Sequence, residues 1–381
     1  MPDVSWASYC RFPDALIPGN RIDLLINGEK AYPAMLDAIA GAEKTVLMVS
    51  YIFHDDAAGR AFSEQLMGRA KKGVQVYLIV DGVGTLHVPG DFFDEMRAAG
   101  VHVLVYRSPA PWRRSFGLFR RDHRKLLVVD GQIGFTGGLN IGREWLSKEQ
   151  GGDGWHDIHV RIEGPTVREL SKPVLSTWRL HGDAKLDHRV FLPSISAKGT
   201  EYASVISSRE RKQRQDIRQS YLQAIRRSQK YIYITNAYFL PGRGFQRAIR
   251  NACKRGVDVR IMVPKQGDIM PFQYASQALY RRFLRAGAKL YLWNDAVLHA
   301  KTAVIDDEWC TVGSFNIDHR SWTMNLEVNL NSVGPFLATQ LKGLFTRDQG
   351  NCEQLTIEKW NRRSWFTRVL ESFFYKFRNL M

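Results

Sequence analysis

What this chain has little of narrows the possibilities first. It carries four cysteines in 381 residues, Cys10, Cys253, Cys310 and Cys352. They stand far apart and form no CxxC pair. That argues for free thiols in a reducing compartment and against a disulfide framework or a structural zinc site. There is no HExxH motif and no Cys/His cluster, so no resident metal is expected. No window approaches the roughly 18 consecutive apolar residues of a membrane-spanning helix. Residues 1–11 include Asp3 and lack an apolar core, so they do not read as a signal peptide. A soluble or peripherally attached protein is the expectation.

Acidic residues are also in short supply. Asp plus Glu number 38 against 54 Lys plus Arg, a formal charge of +16. Such an excess suits anionic partners: nucleic acid, an acidic membrane surface or a phosphate-bearing substrate. Charge alone does not choose among them. Hydrophobic residues make up 44% of the chain. That is enough for a sizeable core in two domains or two similar lobes.

What is present is a repeat. Leu36-Asp37-Ala38-Ile39 precedes the apolar run from Lys44 to Val49, as Leu222-Gln223-Ala224-Ile225 precedes the run from Lys230 to Thr235. Lys71-Lys72-Gly73-Val74 is matched by Lys254-Arg255-Gly256-Val257, and Ala98-Ala99-Gly100-Val101 by Arg285-Ala286-Gly287-Ala288. His123-Arg124-Lys125 is matched by His299-Ala300-Lys301. The order is conserved between the halves, at offsets of 176 to 187 residues. Helical spacing of apolar residues alternates with short β-branched runs. Gly73, Gly100, Gly256 and Gly287 fall where helix C-caps belong. The pattern predicts two α/β lobes with largely parallel sheets and helices on the faces. The expected divisions are a first lobe over 1–180, a connection over 181–215, a second lobe over 216–350 and a tail over 351–381.

The chemistry concentrates in His-x-Lys-x4-Asp, present twice: His123, Lys125 and Asp130, then His299, Lys301 and Asp306. Each copy leads to a glycine turn with an asparagine, Gly137-Gly138-Leu139-Asn140 and Gly313-Ser314-Phe315-Asn316. Each then reaches a carboxylate beside an apolar strand, Asp157 and Glu327. A lone HxK carries no weight, because most such pairs are surface residues. The doubling of the whole pattern within a repeat is what singles it out. Along a strand, residues two apart share a face, so each His and Lys would point the same way. Asp130 and Asp306 lie an odd number of residues further on, which predicts a structural or orienting role. Two imidazoles and two ammonium groups brought together suit a phosphodiester. The lysines can neutralise its oxygens, and Asn140, Ser314 and Asn316 can donate hydrogen bonds to them. One histidine can attack phosphorus and the other can move the proton. Asp157 and Glu327 can each hold one imidazole in the needed tautomer. The lysines supply the positive charge, so no cofactor is called for. His54-Asp55-Asp56 reads as an ordinary polar loop, and His156, His159 and His319 as supporting residues.

With these motifs the chain resembles the phospholipase D superfamily over roughly residues 20 to 345. The stretches from His156 to Pro165, Asn236 to Gly242 and Asn325 to Asn329 are similar to the bacterial cardiolipin synthases, in the short form without N-terminal membrane spans (cardiolipin synthase B). The resemblance implies two α/β/α sandwich lobes sharing one site. It also implies transfer of a phosphatidyl group between two phosphatidylglycerol molecules through a phosphohistidine. His123 would be the nucleophile and His299 the acid and base. It implies a peripheral protein on the cytoplasmic face of the bacterial inner membrane. A nuclease of the same superfamily is the alternative enzyme, with nucleic acid as partner. One departure is Gly138, which stands where the second turn has Ser314.

Two segments bear on lipid. From Lys359 to Met381 there are six basic residues and one acidic, Glu371. Trp365, Phe366, Val369, Leu370, Phe373, Phe374, Phe377 and Leu380 recur at helical spacing and predict one apolar stripe, facing either a membrane or the protein's own core. Residues 111–121 interleave aromatics with arginines, which suits anionic headgroups, single-stranded nucleic acid or a plain basic loop.

Overall fold

The computed structural model describes residues 6–109, 117, 119–183, 186, 188–208 and 215–380. The first half runs β1 (Ile17–Ile26), α1 (Asn27–Ala40), β2 (Thr45–Ser50), α2 (Ala57–Ala70), β3 (Gln75–Asp81), α3 (Gly90–Ala98), β4 (His102–Tyr106), β5 (Leu126–Val129), β6 (Ile133–Gly137), β7 (Ile158–Glu163) and α4 (Val167–His181). A short helix α5 (His188–Phe191) follows. The second half runs β8 (Glu201–Ser207), α6 (Asp216–Arg227), β9 (Tyr231–Asn236), α7 (Arg243–Lys254), β10 (Asp258–Pro264), α8 (Met270–Ala286), β11 (Lys289–Trp293), β12 (Lys301–Ile305), β13 (Trp309–Gly313), α9 (His319–Thr323), β14 (Val328–Val333) and α10 (Pro335–Gln349). The tail adds β15 (Cys352–Leu355), α11 (Ile357–Asn361) and α12 (Trp365–Lys376).

The strands lie in the order β4-β3-β2-β5-β6-β7-β1, then β8-β14-β13-β12-β9-β10-β11-β15. The second series repeats the first, with β8 as the counterpart of β1. These two meet antiparallel at the centre, through Ile17 with Ala203 and Asn20 with Glu201. β8 falls inside the stretch that the sequence assigns to the connection, yet it completes the second half. The charged run 209–212 lies outside the described residues.

Strands β2 and β9 are buried along their whole length because helices cover both faces. Alternate residues go to alternate layers. Val46 and Met48 meet Phe62 and Leu66 of α2 and Phe92 of α3, while Leu47 and Val49 meet Leu170, Val174 and Trp178 of α4. In the second half Ile232 and Ile234 join Phe245 and Leu279, while Tyr231 and Tyr233 join Leu341 and Phe345 of α10. The α4 and α10 layers merge into one core beneath both halves. Gly73, Gly100, Gly256 and Gly287 all have positive φ, between 86° and 96°, as the expected C-caps require.

The sheets are less parallel than expected. Among the strands of the described residues, parallel pairing is confined to β2-β3-β4 and β9-β10-β11. Strands β5 and β12 return through tight turns at Asp130 and Asp306, and so short a connection permits only antiparallel neighbours.

Candidate active site

The histidines stand just ahead of β5 and β12. Of the four motif residues that were expected on strands, Lys301 alone lies within one. The lead-in segments are extended because each pairs with the opposite half. The amide of His123 donates to the carbonyl of Leu326 at 2.9 Å, and that of Leu326 to the carbonyl of Arg121 at 2.9 Å. Likewise the amide of His156 donates to Val297 at 2.9 Å, and that of His299 to the carbonyl of His156 at 2.7 Å.

This crossing sets the carboxylate partners. His123 Nδ1 lies 3.0 Å from Glu327 Oε2, and His299 Nδ1 lies 2.6 Å from Asp157 Oδ2. Each half's carboxylate therefore holds the other half's imidazole. With Nδ1–H donating to a carboxylate, Nε2 carries the lone pair of the neutral ring. Both histidines line one cleft of about 370 Å³, along with Asn140, Asn316, Arg121 and Arg320.

Burial pushes His123 down to about 4, with Glu327 pulling the other way. Burial also lowers His299, helped by Lys301. Lys125 is lowered to about 7 and Lys301 to about 8, again chiefly by burial. Burial alone would raise Asp157, but Lys301 and His299 outweigh it and hold the carboxyl below its ordinary range. Glu327 is held down in the same way by His123 and Lys125. The site thus presents two neutral imidazoles over two carboxylates and two lysines. Each ammonium donates to the carbonyl of its own histidine, Lys125 to that of His123 at 2.7 Å and Lys301 to that of His299.

The remaining motif residues separate by location. Asn140 and Asn316 face the cleft. Asn140 Oδ1 accepts from Ile52 N at 3.2 Å, and Asn316 Oδ1 has no partner among the described residues. Ser314 does not face the cleft as expected: its hydroxyl donates to Glu327 Oε2 at 2.5 Å and is fully buried. In the first half the indole of Trp145 makes the corresponding bond, to Asp157 Oδ2 at 3.0 Å. Gly138 is obligatory there, since a Cβ would sit 2.1 Å from Asp157 Oδ1.

Asp130 and Asp306 bind backbone, not the cleft. Asp130 accepts from the amides of Glu43, Lys44 and Thr45 at 2.7–2.9 Å. Asp306 accepts from those of Gln229, Lys230 and Tyr231 at 2.6–2.9 Å, and from the Tyr9 hydroxyl at 2.8 Å. Both have positive φ, 51° and 58°, which aims the carboxylate back at the start of the neighbouring strand.

His156 stacks on Trp293 with ring centres 4.7 Å apart and bridges Asn27 to Asp348, both at 2.8 Å. It ties α1 of one half to α10 of the other, directly beside Asp157. His159 is buried with neither ring nitrogen partnered among the described residues, and burial pushes it down to about 4. His319 sits edge-on to Trp322. His54 approaches Glu144 at 3.4 Å, while Asp56 caps α2 and accepts from Arg143 N, so this loop is absorbed by local structure.

Residues 111–116 and 118 of the basic aromatic segment lie outside the described residues. Arg121 at its end is buried against Asp81 at 3.3 Å and lines the cleft, instead of standing out on the surface. The motif reading missed Tyr51, 5.1 Å from the His123 ring, and Tyr238, 6.3 Å from the His299 ring. A signal was available. Both follow the C-terminal ends of β2 and β9, within one residue of equivalent places in the repeat, where α/β sheets place ligands.

A family model described as cardiolipin synthase, PLD-like domain, matches residues 35–171 and 221–349. The chain belongs to this phospholipase D-like cardiolipin synthase family. It is 32% identical over 359 residues to a cardiolipin synthase of Clostridium perfringens strain 13, covering 93% of this chain and 75% of the relative. It is also 32% identical over 366 residues to cardiolipin synthase B of Shigella flexneri, covering 91% and 85%. Among solved structures, phosphatidylserine synthase of Haemophilus influenzae superposes with a TM-score of 0.69 at 15% identity, covering 96% of this chain and 97% of that one. That likeness concerns the fold alone, two lobes of the phospholipase D type. Membership in the family makes the chain a phosphatidyltransferase of that type. No helix among the described residues is long and apolar enough to cross a membrane.

Proposed function

We propose that the chain joins two phosphatidylglycerol molecules into cardiolipin and glycerol, with a phosphohistidine on the way. The observation that carries this reading is the pair of imidazoles in one cleft, each anchored through Nδ1 to the opposite half's carboxylate. Nε2 of His123 attacks phosphorus while His299 gives a proton to the departing glycerol oxygen. His299 then takes the proton from a hydroxyl of the second phosphatidylglycerol. That oxygen attacks phosphorus, the P–N bond breaks, and His123 is restored. For the first step His299 must be charged, and an arriving phosphodiester anion favours that form. Lys125, Lys301, Asn140 and Asn316 stabilise the phosphoryl oxygens. Asp130 and Asp306 act at a distance, by fixing the turns that follow each motif strand. The protein works peripherally, on the cytoplasmic face of the bacterial inner membrane.

The test is incubation of purified protein with phosphatidylglycerol vesicles and with several alcohols, and mass spectrometry of the products. Cardiolipin with stoichiometric glycerol is expected. Cleavage of DNA or RNA with the lipid untouched would replace this reading by that of a nuclease, which the charge of +16 also suits.

A further inference from the structure

The tail does not form the single apolar stripe that its sequence suggests. One side of α12 packs on α8. Phe374 stacks on Tyr274 with ring centres 5.8 Å apart, Leu370 and Tyr375 are half-buried, and buried Glu371 is bound by Arg363 at 2.8 Å. This side accounts for the helix's attachment. The other side is left open: Trp365 (75% exposed), Phe366, Val369, Phe373 and Phe377 all face solvent. Phe373 and Phe377 lie together, with ring centres 5.2 Å apart.

This open side continues into the catalytic cleft. Leu380 is 71% exposed and also lines the cleft. Ile269 does the same from the start of α8, with exposed Met270 beside it. An apolar track therefore runs along α12, about 18 Å of helix, and ends at the histidines' cleft. Contiguous exposed apolar surface of this kind marks an interaction site.

We infer that this track takes the acyl chains of a phospholipid still seated in its bilayer, so that only the headgroup enters the cleft. The inference rests on a phospholipid being the substrate. Charge selects the occupant. Arg368 and Lys376 are exposed on α12 and Arg362 just ahead of it, and the whole chain carries +16. A second copy would bring the same cations face to face. An anionic bilayer neutralises them while its hydrocarbon takes the aromatics.

The experiment compares the full-length protein with Phe366→Glu/Phe373→Glu and with Phe366→Leu/Phe373→Leu. Both positions are exposed, so folding is expected to survive, and circular dichroism checks it. Co-sedimentation uses vesicles of phosphatidylcholine with phosphatidylglycerol, and of phosphatidylcholine alone. Turnover is measured on the mixed vesicles and on short-chain phosphatidylglycerol kept monomeric. The Glu variant is expected to bind mixed vesicles more than about tenfold more weakly. Its ratio of vesicle to monomer turnover should fall by a similar factor, and the Leu variant should retain both. Unchanged vesicle binding by the Glu variant, or an equal fall on both substrates, overturns the inference. So does a wild-type dimer that the Glu variant dissociates. Wild type that binds vesicles yet makes no cardiolipin would instead defeat the proposed function and leave the docking surface standing.

Discussion

The two halves share a strand order and a motif but not the chemistry behind each carboxylate. The first half supplies a short Asp157, a bare Gly138 and the indole of Trp145. The second supplies a longer Glu327, the hydroxyl of Ser314 and the amide of Asn325, 3.3 Å from Oε1. Because the anchors cross between halves, the first set serves His299 and the second serves His123. His299 has the shorter anchor, 2.6 Å against 3.0 Å, and the more buried side chain, 6% exposed against 12%. A doubled fold thus provides two equivalent slots, and unequal neighbours can give their occupants different tasks.

The largest effect should come from the histidines themselves. His123→Ala and His299→Ala are each expected to lower turnover by about 10⁴-fold. Only His123→Ala should lose covalent labelling by substrate phosphate. A label trapped on His299 would reverse the assignment of roles.

Converting one half's anchor into the other's should come next. Gly138→Ser forces a side chain into Asp157 and is expected to lower turnover by on the order of 10³-fold, matching Asp157→Asn. The reciprocal Ser314→Gly removes one hydrogen bond to Glu327 and should cost only about tenfold. Equal losses from the two exchanges would show that the anchors are interchangeable.

The pH profile tests the lysines. Both ammonium groups are lowered by burial, to about 7 and about 8, so the free enzyme loses its phosphate-binding charge as pH rises through that range. A falling alkaline limb in kcat/KM is expected there. Activity that holds to pH 10 would show that deprotonation of these lysines does not limit substrate binding in that range.

The smallest effect on chemistry should come from the aspartates. Asp130→Asn is expected to destabilise the fold by about 1–3 kcal/mol in urea unfolding. Asp306→Asn should cost more, because it also loses the Tyr9 hydroxyl that ties the N-terminal segment to the second half. Loss of turnover in Asp130→Asn protein of unchanged stability would give that residue a direct part in the reaction instead.

Much of this was legible along the chain because it is local. The repeat, the helix C-cap glycines and the two motifs depend on residues close in sequence, and odd spacing alone set Asp130 and Asp306 apart from the histidines. Other features depend on distant chain. The role of Ser314 is set by where Glu327 arrives, and that of Gly138 by Asp157. Strand β8 looked like linker because its partners, β1 and β14, come from opposite ends of the sequence. The tail's periodicity could not tell which side of α12 would meet α8.

Periodicity and spacing are properties of neighbouring residues, and they were enough to reveal two like halves and two copies of a phosphate-directed motif. The crossing of each carboxylate to the opposite histidine, and the path of the tail's open face into the cleft, emerge in the folded chain alone. Both outcomes depend on backbone pairing and packing between distant segments, 204 residues apart for His123 and Glu327 and 100 for Tyr274 and Phe374, which no local pattern encodes.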